Sequence, residues 1–494
     1  MGLRARQRPL VLLFRWCSMA DSLSVGNVVE LTINDFAVGG ESVGRVGNFV
    51  IFVPGGSPGD KIEAQITELK KSYGRARIHR ILEPSVRRVQ PRCPVYNECG
   101  GCHLQHVNYD SQLQFKTKMV QDAIEHIAGL DGVKVRPCRR MQHPWNYRCK
   151  AQVVVGAKPY LFRAADDEET EVTPRFHPYI GYYAQGTHSI VRVENCAIQR
   201  ETNNQLVSAC REAIERLQWP VYNSESGDGA IRYLVARSSV YTSQTLLVIV
   251  SSQPRLPKVR EFVDYVRKRV PSLCGVVLNL NPHHTNVILG THNSLLWGND
   301  HIIEEVADLK FGISANSFFQ VNIEGLEAIY EEIDRCLSPQ SRDTILDAYC
   351  GVGSLALYMA RKVKKVYGID ECQAAIEDAV LNSDLNNLSN TTFLDGTVEK
   401  ILPTLCNKGS LLHRGTRFNS AILDPPRKGC DPVVLDTIAK MRIPHLAYVS
   451  CNPSTLARDL GILAEKGYVT LDVQPIDMFP QTYHVESVAN IVRK

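Results

Sequence analysis

From Thr344 to Glu465, short apolar runs alternate with helical patterns, and no other feature of this chain constrains its fold as strongly. Strands are expected at Thr344–Asp347, Lys365–Asp370, Thr391–Leu394, a run ending at Asp424, and Ala447–Val449. Helices are expected near Gly325–Cys336 and over 354–362, 374–386, 432–441 and 454–465. Strand–helix repetition of this kind predicts an α/β fold with a doubly wound parallel sheet, whose ligands bind beyond the carboxyl ends of the strands. Two such ends are Leu346-Asp-Ala-Tyr-Cys-Gly-Val-Gly353 and Ile422-Leu-Asp-Pro-Pro-Arg427.

Gly351-Val-Gly353 is only part of a dinucleotide fingerprint, because the third glycine is missing. A dinucleotide needs a cradle for its pyrophosphate. S-adenosylmethionine carries no phosphate, so the reduced loop suits it better; an ordinary tight turn is the plain alternative. Asp370 ends the second strand about 20 residues on, where an acid commonly binds ribose hydroxyls. In Asp424-Pro-Pro-Arg427, the prolines fix the backbone past the strand tip, and the acid faces either the cofactor or a target base.

Cys451, in Ser450-Cys-Asn-Pro-Ser-Thr-Leu-Ala-Arg-Asp459, adds a thiol beside this site. Carbon 5 of uracil is not nucleophilic. A thiolate that adds to carbon 6 makes it so, after which a base must remove the carbon 5 proton to release the sulfur. A helix beginning near Ser454 is expected to favour the thiolate through its N-terminal dipole. Met478-Phe-Pro-Gln-Thr-Tyr-His-Val-Glu486 offers two bases. His484 reads as a packed or hydrogen-bonded histidine. Glu486 lies in a final strand, where alternation places it on the face opposite Val485.

The first third of the chain has a different grain. Residues 22–83 alternate short strands (28–33, 48–53, 61–66, 76–81) with glycine turns, which predicts a small closed β-barrel. Lys70 to Arg92 holds eight basic residues against Glu83, either a solvated face or a grip on phosphates. Phe36, Phe49 and Phe52 are candidates for stacking on bases, with core packing expected for at least two of them. A helix over Gln112–Ala128 follows, then a strand-rich stretch over 145–300 with a helix near Asn203–Leu217. Asp166-Asp-Glu-Glu169 reads as an exposed loop.

Cys93-x5-Cys99-Gly-Gly-Cys102 brings three thiols into one tight loop, and Cys138, Cys149 or Cys196 would complete a four-thiol set for zinc or an iron–sulfur cluster. The chain has fifteen cysteines and no convincing export signal, which points to a cytoplasmic protein using thiols for metal or catalysis. Pro9-Leu-Val-Leu-Leu-Phe14 is too short to span a bilayer. Patterned sequence starts after Met19, so residues 1–18 are expected to be a disordered or misassigned extension. Neither a membrane nor an obligate protein partner is implied, and a net charge of +4 does not by itself argue for nucleic acid.

Ser317-Phe-Phe-Gln-Val-Asn322, Asp347–Gly353, Asp424–Gly429, Ser450–Asp459 and Met478–Gln481 through Glu486 resemble, in order, the uracil-C5 RNA methyltransferases that form 5-methyluridine. The resemblance implies a Rossmann-like methyltransferase domain over 311–494. It makes Cys451 the nucleophile and Glu486 the proton acceptor, and it places Gln320, Tyr349, Gly351, Asp370 and Asp424 against S-adenosylmethionine. Asp370 stands where relatives often have glutamate. The barrel over 22–83 is similar to a TRAM domain, an OB-like RNA-binding module. Arg92–His106 with Val193-Glu-Asn-Cys-Ala-Ile-Gln199 resembles the branch that ligates a [4Fe–4S] cluster. That implies Cys93, Cys99, Cys102 and Cys196 as ligands in a central α+β domain over 84–310, with Cys138, Cys149 and Cys350 in packing roles. Relatives with both barrel and cluster imply 23S rRNA as substrate. Transfer RNA is the alternative. Two other readings are a non-catalytic RNA-binding protein, and an amino-methyltransferase working through Asp424-Pro-Pro without a nucleophile.

Overall fold

Leu31, Ile33, Ile51, Val53, Ile62, Ala64, Ile66 and Ala76 turn inward along their strands and form one apolar core. That alternation closes Val28–Phe36, Ser42–Val46, Phe49–Val53, Lys61–Leu69 and Tyr73–Glu83 into a five-stranded barrel. The computed structural model describes residues 23–156, 178–224, 226–406 and 417–494. The extension expected at 1–18 and the acidic loop at Asp166–Glu169 lie outside these residues. Described residues up to Val89, with His106–Asn108, make one compact unit; Gln90–Gln105 and Tyr109–Lys494 make the other.

Half of the basic run is paired with acids within the barrel. Lys70 meets Glu68, Arg75 meets Glu41 and Glu68, and Arg80 meets Glu63. The register explains the pairs, because Glu63 and Glu68 face Arg80 and Arg75 across the last two strands. Arg88 holds the buried Asp60 carboxylate, with Nε 2.8 Å from Oδ1, and so latches the barrel. Phe49 packs on the core, as expected. Phe52 is half-buried, with the Tyr73 ring edge-on at 5.5 Å and Arg75 5.9 Å above it. The charge left for phosphates is therefore smaller than the sequence count suggests.

In the second unit, a seven-stranded sheet runs in the order His292–Gly298, Leu273–Leu280, Thr245–Ser251, Ile231–Ser238, Lys150–Gly156, Tyr179–Tyr183, Ile190–Arg192. Helices Glu201–Leu217 and Val259–Arg269 cover one face with Cys210, Ala213, Ile214, Phe262 and Val266. An eight-stranded sheet follows in the order Thr391–Asp395, Lys365–Asp370, Thr344–Ala348, Ser420–Leu423, His445–Ser450, Glu486–Arg493, Tyr468–Ile476, Lys134–Val135. The first five of these strands are parallel, and Glu486–Arg493 enters antiparallel. The strand order reverses on either side of Thr344–Ala348, which opens a crevice at the carboxyl ends. Among the described residues no helix is long and apolar enough to cross a membrane.

Candidate active site

Three acids reach the crevice from three strand tips. Asp347 is fully buried, and neither carboxyl oxygen has a hydrogen bond of ordinary geometry. Burial first, then the nearby Asp424 and Asp370, holds its carboxyl well above the usual range; only the Ala356 amide acts the other way. Asp424 is pushed up to about 7 by burial and by Asp370. Asp370 is pinned at both oxygens, accepting the Gly351 amide at 2.8 Å and the Cys372 amide at 2.9 Å. Gly351 has φ +53°, and a Cβ there would meet nothing within 4 Å, so the loop opens onto free space. Tyr349, at φ +69°, holds a conformation costly for a bulky residue. Its hydroxyl donates to Glu399 at 3.4 Å. Mutually repelling carboxyls beside open space suit a cationic ligand and are hostile to a pyrophosphate.

Gln320 is half-buried in the loop before helix Ile323–Leu337. Arg237 holds that loop from below, donating to the Ala315 and Ser317 carbonyls, while the Cys149 amide donates to Val321 at 2.8 Å.

Cys451 and Glu486 come together through sheet register. Ser450 pairs with Ser487 at the end of the ladder, so Cys451, just after Ser450, and Glu486, just before Ser487, both lie next to the last pair. Glu486 is 3% exposed, and burial followed by Asp424 raises its carboxyl well above the usual range, against Arg427. Burial also pushes the Cys451 thiol up to about 11, with Glu486 and Asp424 adding to the rise and Arg427 opposing it. This corrects the expected thiolate. Cys451 does precede helix Pro453–Glu465, but the Asn452 side chain caps the helix by accepting the Ser454 amide at 3.1 Å, and burial outweighs the dipole. In the ligand-free protein, alkylation of Cys451 by iodoacetamide is therefore expected to rise about tenfold per pH unit between about pH 7 and 10. A plateau near about pH 8.5, the free-thiol value, would contradict this.

The remaining motif residues are braces that sequence reasoning left without a role. Asn452 and Thr455 donate to the Arg427 carbonyl at 3.1 and 3.2 Å, and Arg458 donates to the Lys428 carbonyl at 3.0 Å. Buried Asp459 accepts from the Tyr448 hydroxyl and the Cys430 amide at 2.5 and 2.8 Å. A Cβ at Gly429, where φ is +79°, would lie 2.5 Å from Arg458 Nη2, so only glycine lets the two loops close together. Arg427 thereby faces Cys451, Glu486 and His484, whose charge states it influences. His484 is packed as expected, against Phe479, Tyr483 and His103, and burial lowers it to about 4.

The four cysteines of the resemblance lie near one another elsewhere in the same unit. Cys99 bridges to Ala184, and with Cys196 it packs against the cluster of Ala184, Val191 and Val193. Burial pushes Cys99 up to about 11 and Cys102 up to about 12, and the charges of Cys196 and Cys93 add to both rises. Cys138, Cys149 and Cys350 are buried in packing positions. Among the described residues no three His, Cys, Asp or Glu side chains are arranged to hold a metal ion.

Comparison with known proteins agrees with this geometry. Residues 290–494 match the family model for tRNA (uracil-5-)-methyltransferase, and residues 23–79 match the TRAM domain. A Halalkalibacterium halodurans protein named as an uncharacterized RNA methyltransferase is 39% identical over 94% of this chain and 96% of its own. A Listeria innocua protein of the same description is 39% identical over 96% of this chain and 100% of its own. The Pyrococcus abyssi tRNA (uracil-54, C5)-methyltransferase, solved with S-adenosyl-L-homocysteine, superposes with a TM-score of 0.72 at 26% identity, covering 94% of this chain and 99% of that one. With the sheet, both family models and these relatives in agreement, the chain belongs to the uracil-5 RNA methyltransferases and carries an N-terminal TRAM domain.

Proposed function

We propose that this protein methylates carbon 5 of a uridine in RNA through a transient bond between Cys451 and carbon 6 of the base. The observation that carries the reading is the end of the ladder at Ser450–Ser487, which brings Cys451 and the buried Glu486 together so that the charge of one acts on the other. Cys451 Sγ, on losing its proton, bonds to carbon 6 as the 5,6 double bond opens, and the electron pair moves to carbon 5 and oxygen 4. S-adenosylmethionine, when bound, supplies an electrophilic methyl group to that carbon. Glu486 then accepts the carbon 5 proton, the double bond re-forms, and the sulfur leaves with its electron pair. The charge of Arg427 favours the ionised forms of both Cys451 and Glu486. The free space over Gly351, the pinned Asp370, and Asp424, Tyr349 and Gln320 fit the cofactor.

The substrate in this reading is 23S rRNA, taken up in the cytoplasm, with the TRAM barrel holding flanking RNA while the target base leaves its stack. Transfer RNA is the second reading. It is favoured by the Pyrococcus abyssi enzyme, which aligns over nearly the whole chain. Mapping 5-methyluridine in a deletion strain separates them. Loss of a site in large-subunit rRNA is expected; loss in tRNA alone supports the second reading; no loss in any RNA overturns both.

We also propose that Cys93, Cys99, Cys102 and Cys196 hold a [4Fe–4S] cluster. Zinc, with Zn–S about 2.3 Å, would draw its sulfurs to about 3.8 Å of one another. The four thiols influence one another's charge and two of them share the packing around Ala184, which puts them within reach of one cluster. Protein purified without oxygen is expected to carry about four iron atoms per chain. Stoichiometric zinc without iron would contradict the assignment.

A further inference from the structure

Glu486 follows a loop, residues 477–485, that belongs to no helix or strand. Asn322 and Tyr147 hold the first half of this loop, donating to the Met478 and Pro480 carbonyls, both at 3.1 Å, and the rest of its support comes from residues just past the cysteine loop. Gln112, on helix Tyr109–His126, and Gln481 exchange amide hydrogen bonds. Gln112 Nε2 donates to Gln481 Oε1 at 3.0 Å, and the Gln481 amide donates to Gln112 Oε1 at 3.1 Å. The Gln481 carbonyl accepts the His103 and Leu104 amides, both at 3.0 Å. Gln112 Nε2 also donates to the Leu104 carbonyl at 3.0 Å, closing the ring of contacts. One turn along the helix, fully buried Lys116 pairs with Asp477 and donates to the Phe479 carbonyl at 3.1 Å. The His103 ring meets Tyr483 edge-on at 4.7 Å. Gln481 has φ +69°, a conformation kept only where its surroundings over-determine it.

We propose that Gln112, with the peptide His103–Leu104, is a clamp on Gln481 that positions Glu486 for removal of the carbon 5 proton. Gln112 touches no reacting atom; it acts through the four residues between Gln481 and Glu486, which carry no helix or strand hydrogen bonds of their own. Both clamp glutamines are buried, Gln112 at 1% and Gln481 at 2% exposure, so water does not replace the lost bonds. Because the donors at 103 and 104 directly follow Cys102, the cysteine loop and the catalytic base share one support.

This rests on the reading of Glu486 as the base, and its signature is specific. Loosening the clamp slows elimination while addition and methyl transfer continue, so the covalent enzyme–RNA species builds up. The full-length protein, Gln112→Met and Gln112→Glu are each incubated with tritium-labelled S-adenosylmethionine and total RNA from a strain lacking the gene. The same proteins are also incubated with RNA from cells grown in 5-fluorouracil. In Gln112→Met, kcat is expected to fall about 10²-fold, the scale of a small misplacement, and KM to fall with it, because kcat/KM is set by the steps before elimination. Labelled protein–RNA complex that survives denaturation is expected with ordinary RNA, and fluorinated RNA is trapped at the normal rate. Gln112→Glu keeps the side-chain size and an acceptor for the Gln481 amide, so it decides the matter if Gln112→Met does not fold; it is expected to accumulate the same complex. Normal kcat in a folded variant, or lower kcat without the complex, overturns the clamp. Failure of the unaltered protein to trap fluorinated RNA instead overturns the reading of Cys451 and Glu486 on which the clamp rests.

Discussion

Cys451→Ala is expected to abolish methyl transfer, a loss of about 10⁶-fold, the scale on which removing a covalent nucleophile acts. Alanine is smaller and apolar, and the site around it is held independently. Asn452, Thr455 and Arg458 tie the nucleophile's helix to the backbone of residues 427–430, and Asp459 seals the join from inside. Fold and cofactor binding are therefore expected to persist, which melting curves and equilibrium dialysis would check. Unchanged methylation by this variant would point instead to amino chemistry at Asp424-Pro-Pro. RNA binding by an unaltered protein that never turns over would support a non-catalytic reading.

Glu486→Gln is expected to fail at the other end of the cycle. The amide keeps the shape of the carboxyl but cannot accept a proton from carbon 5, and losing a positioned base costs about 10²–10⁴-fold. Addition and methyl transfer precede that step, so the enzyme stalls as a methylated covalent complex. Denaturing gels of the variant with ordinary RNA should show a slow-migrating band that depends on S-adenosylmethionine. Turnover within a few fold of normal would remove Glu486 from the mechanism. The direction of pH dependence follows from burial: the resting Glu486 carboxyl and Cys451 thiol both hold their protons above the usual range, so activity is expected to rise with pH through neutrality.

The sequence made the sheet legible where strands were bounded by helices, because the switch from period 2 to period 3.6 marks each boundary. It was less informative about Glu486. Alternation placed Glu486 and Val485 on opposite faces and left the burial of Glu486 undecided; both residues are buried. Strand Glu486–Arg493 lies between His445–Ser450 and Tyr468–Ile476, covered on both faces, and alternation carries no burial signal there. The same reason hid Ile231–Ser238, a central strand buried almost throughout. Ser42–Val46 escaped because it is short and carries glycine and arginine. Helix Val398–Cys406 was masked by Pro403. Nothing in the sequence pointed to buried Lys116, whose partner Asp477 lies 361 positions away, a distance no local pattern spans. The basic run was visible, but its neutralisation depends on cross-strand register, which one strand alone does not encode.

The thiol and the crevice acids were legible because their chemistry sits in short contiguous motifs at strand ends. Their protonation states were not. Those states depend on how many carboxyls converge, and Asp347, Asp370 and Asp424 come from three separate strands.

Mass spectrometry of the protein after reaction with 5-fluorouridine RNA and S-adenosylmethionine tests the covalent route most directly, since fluorine at carbon 5 cannot leave as a proton. The peptide bearing Cys451 is expected to carry a methylated fluorouridine nucleotide bonded through its sulfur. Full recovery of that peptide unmodified, from protein that methylates ordinary RNA under the same conditions, would contradict the account.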